Sequence, residues 1–329
     1  MSKEIKKETL VYDSKNKLNE EAIGWGRRPS LFTFNSNKNK FRFKKWNHWT
    51  IVSENHIFNI AIVDLNYVSN TFAYLYDYKE NTFEDINYSK IIKKNVFLSK
   101  TTDGSCYFYN NDIELKMHFL DKKYKITLNN NSINADLEIF LYDFESLNVI
   151  VPFNKREFQF TEKNAKLPVN GYITSKSSHV ELDVADSYAC FDFGRGVWPF
   201  NTYWNWATFS GNSNEGLIGI NLGAGWTDGK KTNENAFFLN DKVYKINEDV
   251  KFDYDKSNLL SKWHIKTKSG DVDLVFQPFY NVSKKRRKII IKTHLNQVLG
   301  QFFGRIKVED KIVDISNIKG CVEQHEARW

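Results

Sequence analysis

His56-Ile57-Phe58-Asn59-Ile60-Ala61-Ile62-Val63-Asp64-Leu65 and, after a five-residue link, Thr71-Phe72-Ala73-Tyr74-Leu75-Tyr76-Asp77-Tyr78 decide the fold class. Both runs are short, dense in β-branched and aromatic residues, and bounded by Asn, Ser, Lys and Glu. That is how strands joined by turns read, and no helical period runs through them. Outward from this pair the pattern recurs at 105–109, 113–119, 124–128 and 135–141. After 148–153 the charged Asn154-Lys155-Arg156-Glu157 interrupts it. A second series begins at Phe158 and includes 217–222, 242–246, 249–254, 261–266, 271–276, 288–294, 297–308 and 311–315. No long amphipathic helix intervenes, so parallel βαβ architectures drop out. The expectation is an all-β chain of two antiparallel barrels or sandwiches in tandem; both architectures satisfy the same periodicity. The division runs 1–40 as an N-terminal arm, 41–160 as the first half and 161–329 as the second, with the C-terminal tail docking at the interface.

The chain of 329 residues exceeds the size at which one core usually stops growing, and 41% apolar with 16% aromatic residues is ample for two. The net charge of +7 is spread along the sequence, apart from Lys284-Lys285-Arg286-Arg287-Lys288. That run reads as a solvated turn leading into Ile289-Ile290-Ile291, and no single-strand-binding aromatic pattern accompanies it, so nucleic acid is not an expected partner. Three distant cysteines, Cys106, Cys190 and Cys321, argue against a disulfide framework. With no apolar signal region and no run near the roughly 20 residues of a spanning helix, cytoplasmic residence without a transmembrane segment is expected.

Two segments concentrate chemistry. The first is Cys190-Phe191-Asp192-Phe193-Gly194-Arg195-Gly196-Val197-Trp198-Pro199-Phe200, continuing to Trp204-Asn205-Trp206. Read structurally, it is a kinked strand with an Asp192–Arg195 ion pair. Read functionally, its indoles offer an apolar body with a polar tip, and its glycines allow close approach. The second is Gly223-Ala224-Gly225-Trp226-Thr227-Asp228-Gly229 with Thr232-Asn233-Glu234-Asn235. Here a glycine hairpin sets Asp228, Glu234 and Asn235 beside Trp226, and such surroundings raise a carboxyl towards general-acid use. His48, between Trp46 and Trp49, is either a proton shuttle or a core histidine. Nucleotide loops, metal-ligand spacings and GxSxG are absent, so no cofactor or metal is expected.

These motifs identify a likeness. Gly24-Trp25-Gly26-Arg27, Trp46-Asn47-His48-Trp49, Asp192-Phe193-Gly194-Arg195-Gly196 with Trp198-Pro199, Trp204-Asn205-Trp206, Trp226-Thr227-Asp228-Gly229, Glu234-Asn235-Ala236 and the terminal Glu326-Ala327-Arg328-Trp329 resemble the domain-of-unknown-function 2804 family over nearly the whole chain. One departure stands out: Lys230-Lys231 replaces the family's usual Thr-Gly. The resemblance implies lipocalin-like, calycin-like tandem barrels, distantly similar to carotenoid hydratase and tocopherol cyclase type proteins.

The first functional expectation is therefore a cofactor-independent acid catalyst for an apolar or amphipathic small molecule, of hydratase, cyclase or isomerase type. Asp192, Asp228 and Glu234 supply the carboxyls. Arg195, Asn205, Asn235 and His48 supply polar contacts, and Trp46, Trp198, Trp204, Trp206 and Trp226 the walls. A non-catalytic carrier of a hydrophobic ligand and a carbohydrate-active enzyme with paired carboxylates are the alternatives. In each case the motif segments and the C-terminal tail are expected to meet between the halves.

Overall fold

Alternation of side chains along a strand puts every second residue on one face, and the burial of each strand shows how many faces are covered. In a computed structural model describing residues 2–35, 42–91, 95–288 and 291–328, the strands Ile113–Leu120, Lys123–Asn130 and Asn134–Phe140 bury every second residue, so only one face meets a core. His56–Asp64 and Tyr188–Val197 are buried on nearly every residue. Their uninterrupted apolar runs are those of strands packed on both sides.

Two curled antiparallel sheets account for this difference. Among the described residues the first has 14 strands and runs from Thr82–Lys90 through Ser69–Asp77, His56–Asp64, Phe43–Val52, Tyr188–Val197 and Phe158–Thr174 to Asn134–Phe140, ending at Val96–Leu98. The second has nine, in the order Lys242–Lys245, Ala236–Leu239, Gly216–Ala224, Asn201–Ser213, Lys311–Arg328, Ile291–Val308, Val272–Lys288, Trp263–Thr267 and Val250–Asp253. Each sheet curls around its own core: Trp49, Phe58, Tyr124 and Phe191 in the first, Phe209, Trp263, Phe276 and Phe302 in the second. Phe158–Thr174 serves two stretches of the first sheet and changes register at a bulge between Ala165 and Leu167, where Lys166 has φ 91°. The chain crosses from the first sheet to the second between Val197 and Asn201, whereas residue 160 lies inside Phe158–Thr174. The halves are tandem half-barrels of the expected lipocalin-like kind.

Two further clusters join the sheets back to back. One gathers Trp25, Trp198 and Trp226 with Val149, Ala165 and Phe238, with Trp46 and Trp204 packed against it; the other gathers Tyr74, Tyr76, Trp206, Val282, Leu299 and Cys321. The C-terminal residues form a central strand of the second sheet, paired on one side with Asn201–Ser213 and on the other with Ile291–Val308. Trp329 lies outside the described residues. The basic run is strand as well, because it continues Val272–Lys288 with alternate residues facing the first sheet. All three cysteines are buried free thiols. Among the described residues, no helix is long and apolar enough to cross a membrane.

Candidate functional site

On the back face of the first sheet, strand register sets the polar groups side by side. Asp192 lies opposite Lys163 on one neighbouring strand and opposite His48 on the other. Lys163 Nζ sits 2.8 Å from Asp192 Oδ1 and 3.1 Å from Glu234 Oε2, the latter reaching in from the second half. The Trp46 indole donates to Asp192 Oδ1 at 3.0 Å, and the Trp226 indole donates to Glu234 Oε1 at 2.9 Å. Burial opposes the Lys163 charge, but the pull of Asp192 and Glu234 outweighs it and holds the ammonium above the usual lysine value. Burial raises the Glu234 carboxyl against the opposing effect of Lys163.

Two glycines make this packing possible. A Cβ on Gly194 would fall 2.0 Å from the Trp46 ring, and one on Gly223 would fall 2.2 Å from Glu234 Oε1. Only a bare backbone leaves room for the indole and the carboxylate.

Facing this group from the second sheet is Glu323. It accepts hydrogen bonds from Trp204 Nε1 at 3.2 Å and from Gln297 Nε2 at 2.5 Å, and Gln297 Oε1 accepts in turn from the Tyr74 hydroxyl at 3.0 Å. Among the described residues no cation pairs with Glu323, and burial pushes its carboxyl up to about 7. Its neighbour two positions on, His325, lies against Trp204 with ring centroids 4.1 Å apart, and burial pulls it down to about 3. His48, 2.8 Å from Asn59 Oδ1, is likewise lowered by burial. Both imidazoles are therefore neutral near pH 7.

A partly open chamber of about 140 Å³ lies between the sheets, lined by Glu323, His325, Lys163 and Gln297 and, from the sequence expectation, by Asp192, Glu234, His48, Trp46, Trp198, Trp204, Trp206 and Trp226. A second chamber of about 200 Å³ adjoins it, sharing Val63, Phe72, Leu295, Gln297 and His325. The remaining expected residues lie outside the first chamber. Arg195 is three positions from Asp192 and so faces the other side of the strand, which rules out their ion pair. Its guanidinium donates to the carbonyls of Trp46, Gly194 and Ser99 and to Asn47 Oδ1, and stacks 3.7 Å over the Phe193 ring. Asn205 donates to the Glu323 carbonyl at 3.0 Å, supporting that strand from behind. Asn235 accepts from Gly223 N at 2.7 Å and donates to the Glu248 carbonyl at 3.0 Å, fixing the loop that presents Glu234. Asp228 is exposed in the turn before Gly229, which has φ 66°; partial burial of its carboxyl raises it above the usual value.

Sequence reasoning passed over Lys163, Gln297, Glu323 and His325. The signal for the last two was present: Glu323 and His325 alternate on one face of a run that begins Cys321-Val322. Read as a charged tail, that run gave no reason to inspect alternate positions. Lys163 sits among Thr161, Glu162 and Asn164 in a strand of mixed polarity, and nothing in that local composition sets it apart.

The family described as domain of unknown function (DUF2804) matches residues 2–329. No curated protein matches the sequence. Among solved structures, CghA with Sch210972 is similar with a TM-score of 0.56 at 8% identity, covering 87% of this chain and 88% of its own. A putative AttH from Nitrosomonas europaea gives 0.53 at 10% identity over 89% and 94%. Kievitone hydratase from Nectria haematococca gives 0.52 at 13% identity over 88% and 90%. At such identities the likeness carries the fold alone.

Proposed function

This chain belongs to the domain-of-unknown-function 2804 family, and on that premise we propose that it is an acid catalyst that hydrates, cyclises or isomerises an apolar or amphipathic small molecule between its two sheets, without a cofactor. The observation that carries the reading is Glu323: a buried carboxyl held near pH 7, bonded to an indole and lining a chamber walled by five tryptophans. A carboxyl with that value is largely protonated below neutrality and is basic enough after donation to be reprotonated. The proton passes from Glu323 to an alkene carbon or a hydroxyl of the substrate, and the positive charge that develops faces indole rings, whose π electrons favour it. Asp192 and Glu234, sharing Lys163, add negative potential on the opposite wall. Neutral His48 stands where a proton can be accepted from an adding water or from the cation itself. The hydratase among the proteins of similar fold is in keeping with such chemistry.

Carriage of an unaltered hydrophobic ligand is the second reading, favoured by the apolar walls of the adjoining chamber, where Val63, Val68, Phe72 and Leu295 meet. The carbohydrate reading loses support, since Asp192 and Glu234 are bridged by one ammonium and do not flank an open polar groove. Incubating wild-type protein and Glu323→Gln with a lipid and isoprenoid extract, followed by mass spectrometry, tests the proposal. Products made by the wild type alone, with ligand retained by both, support catalysis. Identical profiles from the two proteins overturn it, and an unaltered copurifying lipid then favours carriage.

A further inference from the structure

The second chamber has a polar end and an apolar end, and strand register orders them. Along Ile291–Val308, Thr293 borders only this outer chamber, whereas Leu295 and Gln297 are shared with the inner one. Arg286 pairs with Thr293 across the ladder, and Val282 pairs with Gln297. Arg286 therefore sits at the outer end, with its register position four residues from Gln297, about 13 Å at the rise of a strand.

Around Arg286 the charge balance is uneven. Lys284, two residues earlier, has its own carboxylate in Asp85. The Arg286 guanidinium donates to Ser89 Oγ at 2.9 Å and to Asn87 Oδ1, both neutral, and among the described residues it forms no ion pair. It is half-buried, and burial alone lowers its pKa. At this polar end of the chamber Lys284, Arg286 and Asp85 together leave one positive charge in excess, and an arginine drawn partly out of water without an ion pair of its own is a fork suited to a planar or tetrahedral anion.

Resting on the proposed function, we infer that the substrate is an amphipathic anion whose carboxylate or phosphate is anchored by Arg286 while its apolar body runs past Phe72 and Leu295 into the tryptophan chamber. Arg286 fixes which end of the molecule meets Glu323. It is a specificity-determining residue and takes no part in proton transfer.

Binding of decanoate, decyl phosphate and 1-decanol to the full chain, followed through tryptophan fluorescence, tests this. The expected result is that at least one anion binds ten-fold or more tightly than 1-decanol, and the tighter of the two names the headgroup. Arg286→Gln should abolish that preference while leaving 1-decanol binding unchanged. Arg286→Lys should keep part of it, and Lys284→Gln most of it. Equal binding of all three probes, or a preference that survives Arg286→Gln, overturns the anchor and leaves the hydrophobic-site reading standing. Failure of every probe to bind overturns both.

Discussion

In the proposed reaction the proton comes from Glu323. Its carboxyl holds that proton up to about pH 7 in the folded chain, whereas the unfolded chain releases it near the ordinary value of about 4.3. Between those values the folded state binds more protons, so its stability falls as pH rises through that window and levels off above it. Glu323→Gln should remove this contribution: thermal melts of wild type and variant should diverge from about pH 4.5 to 7, with the variant gaining relative stability. Turnover by the wild type should decline above about pH 7 as the acid form is lost. Lys163 presents the opposite case. Replacing it with Met leaves Asp192 and Glu234 buried without their cation, and stability should drop by about 3–5 kcal/mol in urea denaturation; adding Asp192→Asn and Glu234→Gln should recover much of it. Gly223→Ala forces the Glu234 carboxylate off its place against Trp226, at a cost of about 1–3 kcal/mol by the same measurement.

At the scale of elements, the last strand does the work that a tail was expected to do. Lys311–Arg328 supplies Glu323 and His325 to the chamber and is hydrogen-bonded on both edges, its final residues Glu326, Ala327 and Arg328 meeting Tyr203, Thr202 and Asn201 on one side. Removing 326–329 therefore strips ladder bonds from two neighbours at once and loosens Trp204. The melting temperature should fall by several degrees, and activity should fall further than stability because Trp204 holds Glu323. Exposed Asp228 behaves differently: Asp228→Asn should leave both melting and turnover near wild type. The charged composition of 284–288 hid a strand because all five positions carry Lys or Arg, with no apolar residue to mark every second one. Alternation of position survives a change of residue class, but the hydrophobic signal for it does not.

Across the whole molecule, each sheet turns an apolar face toward the other. The second sheet turns Trp206, Val282, Leu299 and Cys321 toward Tyr74 and Tyr76 of the first, so residues 201–328 expressed alone should expose that face, bind a hydrophobic dye and aggregate, while the full chain does neither. Strand after strand was legible in the sequence: the periods at 113–119, 124–128 and 135–141 match alternately buried strands, and the unbroken run at 56–65 belongs to one packed on both faces. Asp192, Glu234 and five tryptophans were legible too, because indoles and carboxyls crowded into short segments stand out from a plain strand. What faces what was decided only by tertiary structure. Asp192 meets Lys163 and not Arg195, since strand pleating separates neighbours three apart and hydrogen-bonded register joins residues 29 positions distant. Glu323 meets Trp204 because two strands of the second half are paired over more than 100 residues of intervening chain. Local composition determines which residues favour a strand and a buried place; register and the packing of one sheet on another determine which of them share a chamber, and no local pattern encodes that.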